Sequence, residues 1–599
     1  MKSVPKVRIW IASSFFLICF FFASWRLVHL QITKHEHFAG LAANMHGSPQ
    51  TLPARRGAIL DVRGEPLAMN EPLKNIIADA SLIKAGSEVR LAAMLSPVVG
   101  LSVQQLLEKF ATGKKYIPLC KKVDEATACE LQVALASGTL RGITFEQDAR
   151  RIYPNGNMLC HVLGFLGMPE AAGKSDTPPH VQGVQGIEKT MEDYLRGYDG
   201  FFFTERDRKG QEIVAYRQME KPARDGYNVR LTVDMALQSI VESELDAAVK
   251  QYNPTAAIII LMDPKTGSIL AMGNRPSFDP NALLEAKDEQ MKNRAIIDMV
   301  EPGSTFKIVT AAAALNEKTA TLDSTVFCNN GSFAYGGRTL RDHHGFGNLT
   351  VEDVLAKSSN IGSAKLAMGL GDLRLYEYVR RFGFGERTGV FLPGEINGTV
   401  HPPHKWSKIS ITRIPMGHEV AVTPLQIATA MCVIANGGKL MMPRIIDSVT
   451  DAEGNVVQQF DPIEIRRVIE PETAAQIAQA LKKVVSKQGT AILAKVPGFD
   501  VAGKTGTAQK VDPKGGYTPG KYVVSFLGYM PVENPRFVGL VMLDDAKASS
   551  GLNYGGLIAA PIFRQIAEKA ARHFNLEPQP EEPDSKTILT KSDPPKKRR

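Results

Sequence analysis

Three short stretches of this chain carry residue types that can move an acyl group. Ser304-Thr-Phe-Lys307 sets a hydroxyl and an amine three positions apart, on one face if the segment is helical. Ser358-Ser-Asn360 supplies a second hydroxyl and a carboxamide; Lys504-Thr-Gly506 supplies a second amine beside another hydroxyl. A serine hydroxyl is a poor nucleophile until a base takes its proton, and no histidine is positioned by sequence to do so. Lys307 can act if it is neutral. A free lysine titrates near ~10.4, and burial or a neighbouring cation such as Lys504 lowers that value. Ser358 can relay a proton toward a leaving amine, and Asn360 can hydrogen-bond both Lys307 and a substrate amide. Lys504 and Thr505 suit a substrate carboxylate. A tetrahedral intermediate needs two donors for its oxyanion, and the backbone N–H groups of Ser304 and Thr507 are the candidates.

Each motif alone is weak. S-x-x-K also occurs at Ser3 and Ser81, and a helix N-cap explains an isolated serine. K-T-G also occurs at Lys265–Gly267, ahead of Ser304, where it fits a hairpin turn. The order Ser304, Ser358, Lys504 is what joins the three into one chemistry. The last motif also has a rival reading. Residues 498–505 match G-x-x-x-x-G-K-[ST], the loop that cradles nucleotide phosphates. Such a loop feeds a helix whose amino end faces the anion. Here the prolines and glycines of "GTAQKVDPKGGYTPG" cannot sustain one. Downstream, the runs 522–530 and 536–544 are separated only by Pro531–Pro535, too short for a parallel crossover, so they form an antiparallel hairpin. Val501–Gln509 is therefore expected as a strand lining a cleft.

The elements that must position these residues are legible in outline. Pro302 and Gly303 mark a boundary, and the residues after them favour a helix. Residues 227–234 read as a strand and 235–252 as an amphipathic helix. Ala256–Asp263, the turn Pro264–Gly267 and Ser268–Asn274 read as a β-hairpin. Residues 31–225 mix short strand-like runs with Gly and Pro turns. The Pro-, Glu- and Lys-rich stretch from 576 is expected to be disordered. Near the start, residues 9–25 carry no charge, and Leu27–Ile32 extends them to spanning length. Basic residues precede them, which keeps the amino end in the cytoplasm. Phe20–Trp25 makes a poor cleavage site, so an uncleaved anchor is favoured over a signal peptide.

Bulk properties narrow the field. A chain of 599 residues suggests three or four domains, and 44% apolar content supports a sizeable core. Part of the net charge of +9 sits at the two ends, with no interior basic stripe interleaved with aromatics, so nucleic acid is not expected as a partner. The six cysteines form no zinc spacing; Cys120 and Cys129 could bridge, or stand as isolated thiols. His343-His344 and His401-x-x-His404 lack a third ligand nearby.

S-x-x-K, S-x-N and K-T-G in this order resemble the class B penicillin-binding proteins, the peptidoglycan DD-transpeptidases. "RRGAILDVRGEPLA" (55–68) is similar to the family's amino-terminal segment, with Val62 interrupting its usual Asp-Arg. "RIYPNG" with "HVLGF" (151–165) and "GIEKTMEDYLRG" (186–197) resemble its pedestal motifs. "NRAIIDMVEPGSTFK" and "VTPLQIATA" (422–430) resemble its transpeptidase domain, nearest to the septal cell-division members. Met416-Gly417-His418-Glu419 departs from the usual G-x-G before that last stretch.

The resemblance implies an α+β penicillin-binding/transpeptidase fold: an antiparallel sheet flanked by helices, an elongated amino-terminal pedestal and a single transmembrane helix. The expected order is a cytoplasmic end (1–8), anchor (9–30), non-catalytic dimerisation-type pedestal (31–225), transpeptidase domain (226–575) and tail (576–599). Ser304 would attack a D-Ala–D-Ala stem peptide, D-alanine would leave, and an amine on a neighbouring stem would close the cross-link outside the inner membrane. Lys307, Ser358, Asn360 and Lys504 would be catalytic; Thr505, Gly506 and Thr507 would bind substrate. β-Lactams would acylate the same serine. No metal or organic cofactor is implied. Nothing resembles a glycosyltransferase domain, so a SEDS-family glycan polymerase and other divisome proteins are expected partners. A β-lactam-hydrolysing or β-lactam-sensing acylase is the alternative, disfavoured by a single span and a long pedestal.

Overall fold

Seven buried residues in a row, Ala256–Met262, form a strand (β1). It pairs antiparallel with Ile269–Arg275 (β2) across a turn in which Gly267 adopts φ +72°. That turn holds the second K-T-G, and its Lys265 Nζ donates to Asn534 Oδ1 at 2.6 Å, as expected for a turn rather than a site. Ala502–Val511 (β3), Tyr517–Met530 (β4) and Phe537–Asp544 (β5) complete an antiparallel sheet in the order β2-β1-β5-β4-β3. A strand apolar on both faces belongs in a sheet covered on both sides. β3 is an edge of this sheet, so one side of its backbone is left for a ligand.

The computed structural model describes residues 6–37, 47–137, 141–168, 181–205, 218–512, 515–548 and 551–579. Residues 1–5 of the expected cytoplasmic end, which include Ser3, and 580–599 of the expected tail lie outside the described residues.

Several helices pack with this sheet. Met235–Tyr252 (α1) is capped by Asp234, whose carboxylate accepts from the N–H groups of Ala236 and Leu237. Lys307–Asn316 (α2) is buried from Lys307 through Leu315. A helix apolar on every face belongs in a core, and the run Ala311–Ala314 lets neighbours approach it closely. Asn360–Leu370 (α3), Pro424–Ala435 (α4), Pro471–Val484 (α5) and Gly555–His573 (α6) follow. One continuous apolar core joins these helices to the sheet, with Phe526 and Phe563 rings 4.9 Å apart.

The chain divides into two compact units, and they interleave along the sequence. One comprises residues 1–56, 70–150 and 196–226; the other comprises 57–69, 151–195 and 227–599. Residues 57–69 and 151–195, grouped with the pedestal on sequence, therefore pack within the catalytic unit. The strand Asn228–Leu231 explains part of this: it pairs parallel with Ile59–Leu60. Arg151 and the fully buried Glu188 also form an ion pair at 2.7 Å within that unit. The amino-terminal unit has its own core around Leu91, Leu95, Leu106, Phe110 and Leu131. Its Ser81, in a second S-x-x-K, is exposed and donates to Asp79.

Near the start, Lys6–Val28 is a helix, and the stretch Val7–Thr33 is long and apolar enough to cross a membrane. All six cysteines, Cys120 and Cys129 included, are free thiols. The expectation of disorder from 576 is corrected for its first residues. Leu576 packs on the core, and Gln579 N–H donates to Gly498 O at 2.8 Å. Pro578 fits because Gly498 has no Cβ, which would lie 2.5 Å from the proline ring.

Candidate active site

Ser304 lies in a tight turn, Gly303–Phe306, that leads directly into α2. The turn is set by Pro302, by Gly303 at φ +56° and by the Thr305 hydroxyl, which donates to Pro302 O at 2.7 Å. Phe306 anchors it against Phe384, ring centroids 5.0 Å apart. Ser304 is partly exposed, while Lys307, one turn on, is 1% exposed. The helix expected after Gly303 is present, and it begins at Lys307.

Ser358 joins the helix Val351–Ala356 to α3 and sits in the left-handed region at φ +59°. Only a tight junction requires that of a residue with a Cβ. Ser359 caps α3, accepting from Gly362 N–H at 2.9 Å, and Asn360 is its first residue. Lys504 lies in β3 and is fully buried. Nothing helical follows it, so the phosphate-loop reading fails.

The hydrogen bonds bring the three motifs together. Lys307 Nζ donates to Ser358 O at 2.6 Å, to Ser358 Oγ at 3.1 Å and to Asn360 Oδ1 at 2.7 Å. Lys504 Nζ donates to the same Ser358 Oγ at 2.9 Å. One hydroxyl thus bridges two amines, one from the start of α2 and one from β3. Burial, opposed by the charge of Asp342, pushes the Lys307 amine down to about 7. Burial first, and then the Lys307 charge, hold Lys504 well below its ordinary value. Two adjacent ammonium groups without water repel, so the pair has a neutral amine available near neutrality.

Ser304 Oγ is not among the acceptors of Lys307 in this structure. The turn that carries it nevertheless touches β3. A Cβ on Gly506 would lie 3.0 Å from Thr305 Cγ2 and 3.3 Å from Pro302 O, and one on Gly303 would lie 3.4 Å from Thr507 O. The N–H-bearing segments expected to hold an oxyanion, at Ser304 and Thr507, are therefore in contact. Thr505 Oγ1 lies 2.9 Å from Thr490 Oγ1, and Thr507 Oγ1 accepts from Gly555 N–H, which seats the start of α6 against β3.

Sequence reasoning missed the part of two residues here. Asp342 accepts from Asn360 and Ile361 N–H and from the Ser359 hydroxyl. His343, weighed only as a metal ligand, meets Tyr554 edge-on, ring centroids 6.2 Å apart. Partial desolvation, then the Lys307 charge, lower its proton affinity. Their only signal was a cluster of ionisable residues, Arg341–His344, between two turn-rich runs.

Comparison with known proteins divides the chain in sequence order. The penicillin binding protein transpeptidase domain matches residues 257–568, and the penicillin-binding protein dimerisation domain matches residues 51–231. The chain is 34% identical to stage V sporulation protein D of Bacillus subtilis, over 94% of this chain and 85% of that one. It is 31% identical to the peptidoglycan D,D-transpeptidase FtsI of Escherichia coli, over 88% of this chain and 85% of that one. The crystal structure of penicillin binding protein 3 from Mycobacterium tuberculosis, complexed with aztreonam, superposes with a TM-score of 0.67 at 28% identity. That match covers 89% of this chain and 98% of the other.

Proposed function

This chain belongs to the class B penicillin-binding proteins, and from that premise we propose how its residues divide the work of a serine-type peptidoglycan DD-transpeptidase. The enzyme is related to the septal proteins of cell division. The observation that carries the assignment of roles is the Ser358 hydroxyl, held at once by Lys307 and Lys504.

Ser304 is the nucleophile. As its Oγ bonds to the carbonyl carbon of the penultimate D-alanine, the neutral Lys307 Nζ accepts its proton, giving up one of the hydrogen bonds it now donates so that Ser304 O–H can point at it. The carbonyl oxygen becomes an anion, met by the N–H groups of Ser304 and Thr507. The C–N bond then breaks. The departing D-alanine amine takes a proton passed from Lys307 through Ser358, which leaves Lys307 neutral and an ester on Ser304. An amine of a second stem enters and bonds to the acyl carbon, its proton passes through Ser358 to Lys307, and Lys307 hands it to Ser304 Oγ as the ester C–O bond breaks. Lys504 and Thr505 hold the terminal carboxylate of the donor. That anion favours the charged form of Lys504, and a charged Lys504 keeps Lys307 neutral when the base is needed. Asn360 orients Lys307 and the substrate amide; Gly506 lets β3 approach the nucleophile's turn.

A β-lactam carries an amide and a carboxylate that meet the same groups, so it acylates Ser304. The apolar helix at the start anchors the protein as a single span of the inner membrane, amino end in the cytoplasm and catalytic unit outside. The segment 31–225 supplies a pedestal, of which 57–69 and 151–195 pack with the catalytic unit. A SEDS-family polymerase and divisome proteins supply the glycan strands and the place. The test is transfer in vitro, with a donor peptide ending in D-Ala-D-Ala and an amine acceptor. Ser304→Ala is expected to release no D-alanine and form no cross-linked product while keeping its circular dichroism. Product formed by that variant refutes the assignment.

A further inference from the structure

We propose that Asp342 is a positioning residue for acyl transfer: its carboxylate fixes the Ser358–Asn360 segment so that Ser358 and Asn360 stand against the Lys307 amine. This rests on Lys307 as the base of the reaction.

Three hydrogen bonds from one side chain reach three successive residues. Asp342 Oδ2 accepts from the Ser359 hydroxyl at 2.7 Å. Its Oδ1 accepts from Asn360 N–H at 2.5 Å and from Ile361 N–H at 3.1 Å. The residue before it completes the arrangement: Arg341 O accepts from Asn360 Nδ2 at 2.9 Å. With its NH2 group held there, the Asn360 amide turns Oδ1 toward Lys307 Nζ, 2.7 Å away. Helix α3 does not need all this for its own sake. Its amino end already has an N-cap in Ser359, bonded to Gly362 N–H. What Asp342 adds is immobility of the main chain that begins at Ser358, in its left-handed conformation, and of the amide that touches the base.

The same carboxylate is a negative charge facing a buried amine. The charged and titratable groups around Lys307 are Lys504 from β3, and Asp342 and His343 from the segment after the Arg338–Arg341 strand. Asp342 opposes the others by favouring the ammonium form of Lys307. Removing its charge therefore makes Lys307 harder to protonate, and the acid limb of the reaction moves to lower pH. A residue that served α3 only as a cap would not shift that limb.

The experiment measures the second-order rate of acylation by a fluorescent penicillin for the full-length protein in detergent, from about pH 5 to about pH 9, with melting temperature alongside. Asp342→Asn is expected to lower the plateau rate about tenfold or more, since small misplacements of reacting groups are costly. It also moves the acid midpoint down by about one pH unit. Ser359→Ala keeps the charge and is expected to lower the plateau with the midpoint unmoved. A folded Asp342→Asn variant with a wild-type plateau, or with a slowed rate and an unmoved midpoint, overturns the proposal. If that variant does not fold, Asp342→Glu is read instead: a lowered plateau with an unmoved midpoint supports the proposal, and a wild-type plateau overturns it. Ser304→Ala, run in parallel, separates the two levels: label surviving in it refutes the catalytic assignment underneath, not the role of Asp342 alone.

Discussion

Lys307 and Lys504 are 1% and 0% exposed, and both point their amines at one serine hydroxyl. Nothing about folding requires this; two buried like charges oppose it. The arrangement makes sense as chemistry, because it yields an amine that is neutral near physiological pH. Lys307→Arg keeps charge and reach, but guanidinium cannot be deprotonated in a protein. It is expected to slow acylation by about a thousandfold or more; a rate within tenfold of wild type would refute Lys307 as base. The base works when neutral, so the rate should rise as pH rises through about 7 and fall away below it. The same shift enters stability. An unfolded lysine holds its proton up to ~10.4, whereas Lys307 in the folded chain releases it near 7. Across that window the unfolded state binds more protons, so stability increases with pH. Melting temperatures of wild type and Lys307→Met, compared between these limits, should show a smaller rise in the variant. At this scale the sequence was informative about reacting residues and silent about their support. Ser304, Lys307 and Lys504 stand in motifs; Asp342 acts through contacts with residues seventeen and more positions away, and no spacing records that.

The turn carrying Ser304 is held by its neighbours at backbone range. Gly303 N–H donates to Gly417 O at 3.3 Å, and Val300 and Val422 exchange two hydrogen bonds. Glu301 reaches the other way, accepting from Glu419 N–H at 3.0 Å and from the Tyr517 hydroxyl at 3.1 Å. His418 lies 3.2 Å from the same carboxylate. Gly417 has φ +78°, and a Cβ there would lie 2.2 Å from Gly303 O. That contact is with backbone, so no rotamer can relieve it. Gly417→Ala is expected to destabilise the fold by about 2 kcal/mol or more and to slow acylation further than the loss of folded protein explains. Unchanged acylation would show that the turn is not set from this side. His418 and Glu419 are thus part of the turn's support, with Glu419 held at φ +61°. Hairpins and the buried helix were readable because turn chemistry and apolar runs are local signals. The pairing of 417–422 with 300–303 was not, because it joins segments more than a hundred residues apart.

At the level of the whole molecule, the chain order of elements misleads about packing. A boundary near 226 is visible as a change in texture, yet 57–69 and 151–195 fold with the catalytic unit. A parallel strand pair such as Val229 with Ile59 leaves no mark on either segment's composition. The apolar helix is a clearer signal, since its Trp10, Phe15, Phe16 and Phe20 are all exposed. Removing residues 1–33 is expected to shift the protein from the membrane to the soluble fraction, with penicillin acylation retained within about twofold, because the span and the catalytic residues belong to different compact units. A protein that still sediments with membranes would place the anchor elsewhere. In growing cells, fluorescent penicillin bound to this protein should gather at midcell; an even lateral signal would separate it from the septal relatives. The central claim is that one hydroxyl, at position 304, receives the acyl group. Peptide mass mapping after exposure to a penicillin tests it most directly. The account predicts the mass of the intact, ring-opened drug on the peptide that contains Ser304, persisting through digestion. Drug found on any other residue, or no adduct on that peptide, would contradict it.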